Sequence, residues 1–122
     1  MAQRWHQEGQ GWRLGWNGFA CQYPALIGGE GWAVELTAQE AQTLARLLGE
    51  IRQVWQSLAQ ELMAEEHLSC EIEAEGVWLE AQGTRAAYGL RLMVLQGRNV
   101  EGSWSALAVE ELAQALAACP GF

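Results

Sequence analysis

Lysine and aspartate are both absent from this 122-residue sequence. Without lysine there is no P-loop cation and no Schiff-base amine; without aspartate there is no Asp-rich calcium loop and no Ser-His-Asp triad. Histidine is scarce, with only His6 and His67. Cys21, Cys70 and Cys119 are an odd, widely spaced set with no CxxC pair. Zinc ligation would need long-range convergence, so no metal and no cofactor are expected, and each cysteine reads as a buried thiol in a reducing cytosol. No apolar run approaches the roughly 18 residues of a membrane span. The run Leu92 to Leu95 is strand-sized. The first ten residues, Met1 to Gln10, are polar without an apolar core, so no signal peptide is expected.

What is present describes a folded domain. Half the residues are hydrophobic and 18% are charged, which excludes general disorder. The length predicts one domain spanning residues 1–122, able to bury about two-thirds of its unfolded surface. Seven arginines face fifteen glutamates, a net charge of -8. That balance repels polyanions.

Periodicity divides the chain into two strand-rich blocks. Trp12, Leu14 and Trp16 alternate with Arg13 and Gly15; Tyr23 to Ile27 is a second apolar run; Trp32, Val34 and Leu36 alternate with Ala33 and Glu35. The Gly28-Gly29-Glu30-Gly31 stretch lacks the lysine and the following helix of a phosphate loop and reads as a hairpin turn requiring positive φ. Thr37-Ala38-Gln39-Glu40 is a capping box. Behind it Ala41, Leu44, Leu48, Ile51, Trp55, Leu58 and Leu62 recur at helical spacing, widened by Leu47 and Val54. The pattern predicts a helix to about Glu66, bent or weakened at Gly49. Its stripe reads as a seam with a partner helix or as one face packed on a sheet; the extra apolar positions favour the sheet.

In the second block Cys70, Ile72 and Ala74 alternate with Glu71, Glu73 and Glu75. Val77 to Ala81 is the next strand, with Trp78 and Glu80 on one face. Ala86 to Gln96 follows, its run Leu90 to Leu95 reading as buried on both faces and therefore central. Val100 to Trp104 is the last strand, and Ala106 to Ala118 the last helix, with a stripe of Leu107, Leu112, Ala113 and Leu116 beside Val109. Three or four strands and a helix, then four strands and a helix, predict an α+β fold with antiparallel sheets.

Gly11-Trp12-Arg13-Leu14-Gly15-Trp16, the stretch Pro24 to Thr37, the Leu-rich helix behind it and Gly102-Ser103-Trp104 together resemble the cyanobacterial domain-of-unknown-function 1818 family over nearly the whole chain. The resemblance implies a cyanobacterial cytoplasmic protein. It also implies an architecture similar to the Whirly and transcriptional-coactivator type of single-stranded-DNA-binding domain. It brings no activity and no catalytic residues.

Candidate chemistry is sparse. Glu71, Glu73, Glu75 and Glu80 could hold a divalent cation, but no His, Asp or Lys accompanies them, and a solvated strand face is the simpler reading. Ser57, Ser69, Ser103 and Ser105 sit in no nucleophile elbow, and Glu71 beside Cys70 opposes thiolate formation. His67 falls at the expected helix end, where the dipole favours a cation. Arg91, inside an apolar strand, needs a partner if buried; Glu35 and Glu80 are candidates. Seven tryptophans with Arg4, Arg13, Arg85, Arg91 and Arg98 could stack unpaired bases. Indoles equally serve a core or a protein contact. The residues expected at a contact surface are Trp12, Arg13, Trp16, Trp78 and Arg91. The expectation is a non-enzymatic cytosolic module that contacts protein, itself included as a homodimer, with no membrane. Single-stranded nucleic-acid binding is the alternative that net charge disfavours.

Overall fold

The computed structural model describes residues 3–122. The expectation of no targeting segment at Met1 and Ala2 lies outside the described residues. The chain forms β1 (Arg4–Gly9), β2 (Trp12–Asn17), β3 (Ala25–Gly29), β4 (Trp32–Leu36), α1 (Ala38–Ala59), β5 (Leu68–Ala74), β6 (Val77–Gly83), β7 (Tyr88–Val94), β8 (Val100–Trp104) and α2 (Ala106–Ala118). Each run of four strands is an antiparallel meander, β1-β2-β3-β4 and β5-β6-β7-β8, so the α+β class with two antiparallel sheets is the observed one.

The first block resolves to four strands. Arg4–Gly9 pairs along β2, Trp5 opposite Trp16 and His6 opposite Gly15. As an edge strand it is exposed everywhere except at Trp5, so it carries no hydrophobic alternation to read. Gly28 and Gly29 extend β3, and the turn itself is Glu30-Gly31, with φ +79° at Gly31. The β5–β6 turn has positive φ at both Glu75 and Gly76, a two-residue geometry that matches strand twist.

Thr37 caps α1 as expected: its hydroxyl accepts from the Glu40 amide at 3.1 Å, and Glu40 Oε1 accepts from the Thr37 amide at 2.9 Å. The helix ends at Ala59, about 33 Å long, and not near Glu66. The amides of Glu61 and Leu62 turn back onto Leu58 and Ala59 carbonyls, and Glu66 closes a further turn by accepting from the Met63 amide. Leu62 therefore keeps the period outside the helix, and His67 lies in the loop beyond it, away from the helix dipole. Val54 and Leu58, read as part of the buried stripe, are exposed. So is Leu107 on α2, at 78%.

Helix α1 lies on the inner face of β5 and β6; α2 bridges β7 to β2. Buried side chains from both sheets and both helices form one contiguous core, including Leu14, Ile27, Leu44, Ile51, Leu79, Leu92 and Leu112. The sheets meet where β8 lies against β3 and β4. There Trp32 Nε1 donates to the Ser103 carbonyl at 3.0 Å, and Trp104 Nε1 donates to the buried Gly28 carbonyl at 2.9 Å. The two indoles pack at 5.1 Å between centroids. Gly102 leaves room for the Trp32 ring, since a Cβ there would lie 2.6 Å from Cε2. The Gly-Gly and Gly-Ser-Trp segments thus form the seam between the sheets. Arg98 reinforces it by donating to the Glu35 carbonyl at 2.6 Å and to the Glu40 carboxylate, with its guanidinium 4.7 Å from the Tyr23 ring centre.

Candidate functional site

The five residues expected at a contact surface do not come together. Trp12 is in the core, 5% exposed, with its Nε1 donating to Glu111 at 2.8 Å. Trp16 is half-buried and meets Phe122 edge-on at 6.3 Å. Arg13 points from the opposite face of β2, next to Glu8 in register. Only Trp78 and Arg91 share a surface, the outer face of the second sheet.

Strand alternation builds that face. With Leu79, Leu92 and their row-mates turned inward, β5 presents Ser69, Glu71 and Glu73; β6 presents Trp78, Glu80 and Gln82; β7 presents Arg91 and Met93; β8 presents Glu101 and Ser103. Trp78 sits between Glu73 and Met93 in register, and Glu80 between Glu71 and Arg91. The Arg91 guanidinium lies 5.6 Å from the Trp78 ring centre. It pairs with Glu101 at 2.8 Å and Glu80 at 3.8 Å. The hydrogen bond to Glu101, then its charge, holds the guanidinium pKa above its ordinary value. Four carboxylates against one guanidinium give the face a formal charge of about -3 at neutral pH.

Arg91 is exposed, so the run Leu90 to Leu95 is not buried on both faces, although β7 is an interior strand. Of its two expected partners Glu80 is present; Glu35 instead gives its carbonyl to Arg98. Glu101 was not foreseeable, because it is a diagonal neighbour across a register that only the folded sheet defines. Glu75 leaves the acidic row: from the β5–β6 turn it accepts from the buried Thr43 hydroxyl at 2.8 Å and approaches Arg46 at 3.7 Å. Among the described residues no group of three His, Cys, Asp or Glu is placed to hold a metal ion.

The indoles divide clearly. Trp12, Trp55 and Trp104 are buried in the core, and Trp5, Trp16 and Trp32 pack against it. Trp78 is half-buried on the outer face and belongs to neither group. Among the arginines, Arg46, Arg52, Arg91 and Arg98 are ion-paired within the chain. Among the described residues that leaves Arg4, Arg13 and Arg85 outside ion pairs, three cations on separate elements, too few and too scattered to track a nucleic-acid backbone.

A cleft of about 720 Å³ opens elsewhere, between α1, α2 and the β6–β7 turn. Gly49, Arg52, Gln53 and Gln56 line it from α1, Gln60 from just past its end, Arg85 and Tyr88 from the turn and β7, and Glu110 from α2. Trp55 and Tyr88 stack beneath it at 4.8 Å and 30°. Arg52 pairs with Glu110 at 2.7 Å, while its buried Nε has no partner. Burial raises the Tyr88 phenol pKa, and the neighbouring Arg52 guanidinium opposes that rise. No local sequence pattern joins the three walls of this cleft.

Residues 7–119 match the family model described as Domain of unknown function (DUF1818). No curated protein matches the chain. Among solved structures it is similar to a crystal structure of a protein of unknown function from Prochlorococcus sp. NATL2A, described as from the DUF155 family. The TM-score is 0.90 at 26% identity, covering 95% of this chain and 98% of that one. No helix is long and apolar enough to cross a membrane among the described residues.

Proposed function

The chain belongs to the DUF1818 family, whose description names no activity, and on that premise we propose that it is a non-enzymatic, single-domain protein-interaction module of the cyanobacterial cytosol. One observation carries the reading: Trp78 is the indole that serves neither the core nor the seam, and it stands with Met93 on a sheet face rimmed by Glu71, Glu73, Glu80 and Glu101. A half-exposed tryptophan with an apolar neighbour is the usual anchor of a contact surface. The carboxylate rim selects a partner carrying an apolar patch among basic residues, because a matching positive rim steers association and fixes register. A second copy applied face to face would set like charges against each other, so the partner on this face is another protein.

The twofold order of four strands and a helix supports reading the architecture as Whirly-like. The internally paired arginines and the net charge of -8 weigh against nucleic acid as its ligand.

The test is fluorescence anisotropy of the full chain with a labelled amphipathic helical peptide of Leu and Lys, run beside labelled oligothymidylate at low salt. Light scattering reports oligomeric state. The expected result is peptide binding that weakens about tenfold, near 1.4 kcal/mol, in Trp78→Ser and falls with added salt. Binding to the oligonucleotide alone, or peptide binding indifferent to Trp78→Ser, overturns the reading. A dimer dissociated by Trp78→Ser replaces the basic partner with a second copy.

A further inference from the structure

We infer that the cleft between α1, α2 and the β6–β7 turn is a binding site for a small organic anion, a flat ring bearing one carboxylate or phosphate group. This goes beyond the contact face, shares no residue with it, and stands or falls separately.

Three observations converge on that ligand. The first is size: about 720 Å³ lies in the range of small-molecule sites. The second is local charge. Arg52 and Arg85 face Glu110 across the cleft, a net positive site in a molecule of charge -8. Among the described residues Arg85 has no ion-pair partner, whereas Arg52 is held by Glu110. One free guanidinium at the mouth therefore answers one anionic group, and its planar fork suits carboxylate and phosphate alike. The third is the lining. Tyr88 stacked on the buried Trp55 gives a rigid aromatic wall. Gln53 and Gln56 on α1 and Gln60 just past its end offer amide donors and acceptors to the edge of a ring.

The same lining argues for binding without turnover. It contains no serine, cysteine, histidine or lysine, and its carboxylate is occupied by Arg52. The cleft would hold its ligand where α1 meets α2, with Arg52 on one helix paired to Glu110 on the other. An occupant there bears on the packing of both sheets, because α1 lies on β5 and β6 while α2 reaches β2.

The experiment is isothermal titration calorimetry of the full chain with adenosine 5′-monophosphate and with indole-3-carboxylate. Adenosine and inorganic phosphate are controls lacking the anion and the ring. The expected result is that at least one ring-bearing anion binds with a Kd of about 1 mM or tighter, near 4 kcal/mol, while both controls are weaker by tenfold or more. Binding of the nucleotide alone assigns the anion as phosphate, and binding of the indole acid alone as carboxylate. Arg85→Ala should weaken that binding about tenfold with thermal stability unchanged, since Arg85 is exposed and unpaired. Absence of binding by both probes, phosphate binding equal to the nucleotide's, or indifference to Arg85→Ala overturns the assignment. None of these outcomes touches the Trp78 face.

Discussion

Gly102→Ala is the sharpest probe of the seam between the sheets. A Cβ at this position would lie 2.6 Å from Trp32 Cε2, and nearer still to Cζ2 and Cη2. The ring cannot simply step aside. Its Nε1 is bound to the Ser103 carbonyl at 3.0 Å and its face is packed on Trp104 at 5.1 Å. Overpacking of this kind costs about 1–3 kcal/mol. The hydrogen bond lost as the indole turns out contributes about 1 kcal/mol more. The expected destabilisation is about 2–4 kcal/mol. For 122 residues the unfolding entropy near the midpoint makes each kcal/mol worth about 4 °C, so Tm should fall by about 8–16 °C. Urea and thermal unfolding followed by circular dichroism measure both quantities. The cause is isolated by repeating the substitution in a Trp32→Ala background. There the added methyl meets no indole and should cost less than about 1 kcal/mol. An equal cost in both backgrounds would refute the steric account.

Gly49 is exposed within α1, and a Cβ there meets no atom within 4 Å; Gly49→Ala should stabilise by about 0.5–1 kcal/mol in urea unfolding. Trp104→Phe keeps an aromatic ring but removes the indole donor to the Gly28 carbonyl, which also faces Arg13 in the β2–β3 ladder, so a loss of at least about 1 kcal/mol is expected, and a variant as stable as the parent would contradict the hydrogen-bonded seam. Burial pushes the Cys119 thiol up to about 11 from an ordinary value of 9.0. The unfolded chain therefore releases this proton first. The stabilisation is whole below about pH 9 and is lost as pH rises towards 11. Cys119→Ala should flatten the alkaline limb of a stability–pH curve, and an unchanged limb would exclude the thiol as its source.

Legibility followed the range of the interactions involved. The start of α1 is a four-residue device, so Thr37 and Glu40 announced it; both ends of α2 and the alternation of β5 and β6 were equally local. Features decided by distant neighbours were not readable. Leu62 keeps the helical period although the chain has already turned at Gln60, because the return to β5 beside α1 sets the length. Strand β1 shows no alternation because one partner strand and an open edge make few demands on its side chains. Arg91 looked enclosed because Leu90 and Leu92 flank it, yet they point inward while it points out. The contact residues Trp12 and Trp78 were indistinguishable as letters; Glu111 claims one, and nothing in the core claims the other. The cleft draws Arg52, Arg85 and Glu110 from three elements and has no linear signature.

Trp32 leaves the first half to find an acceptor in the second, and Trp104 makes the reverse journey. A cut between α1 and β5 would part each indole from its acceptor and α1 from the strands it packs on. Two halves mixed after such a cut are expected to rejoin with a shift of tryptophan emission, and no shift would mean that these reciprocal bonds are not enough to join them.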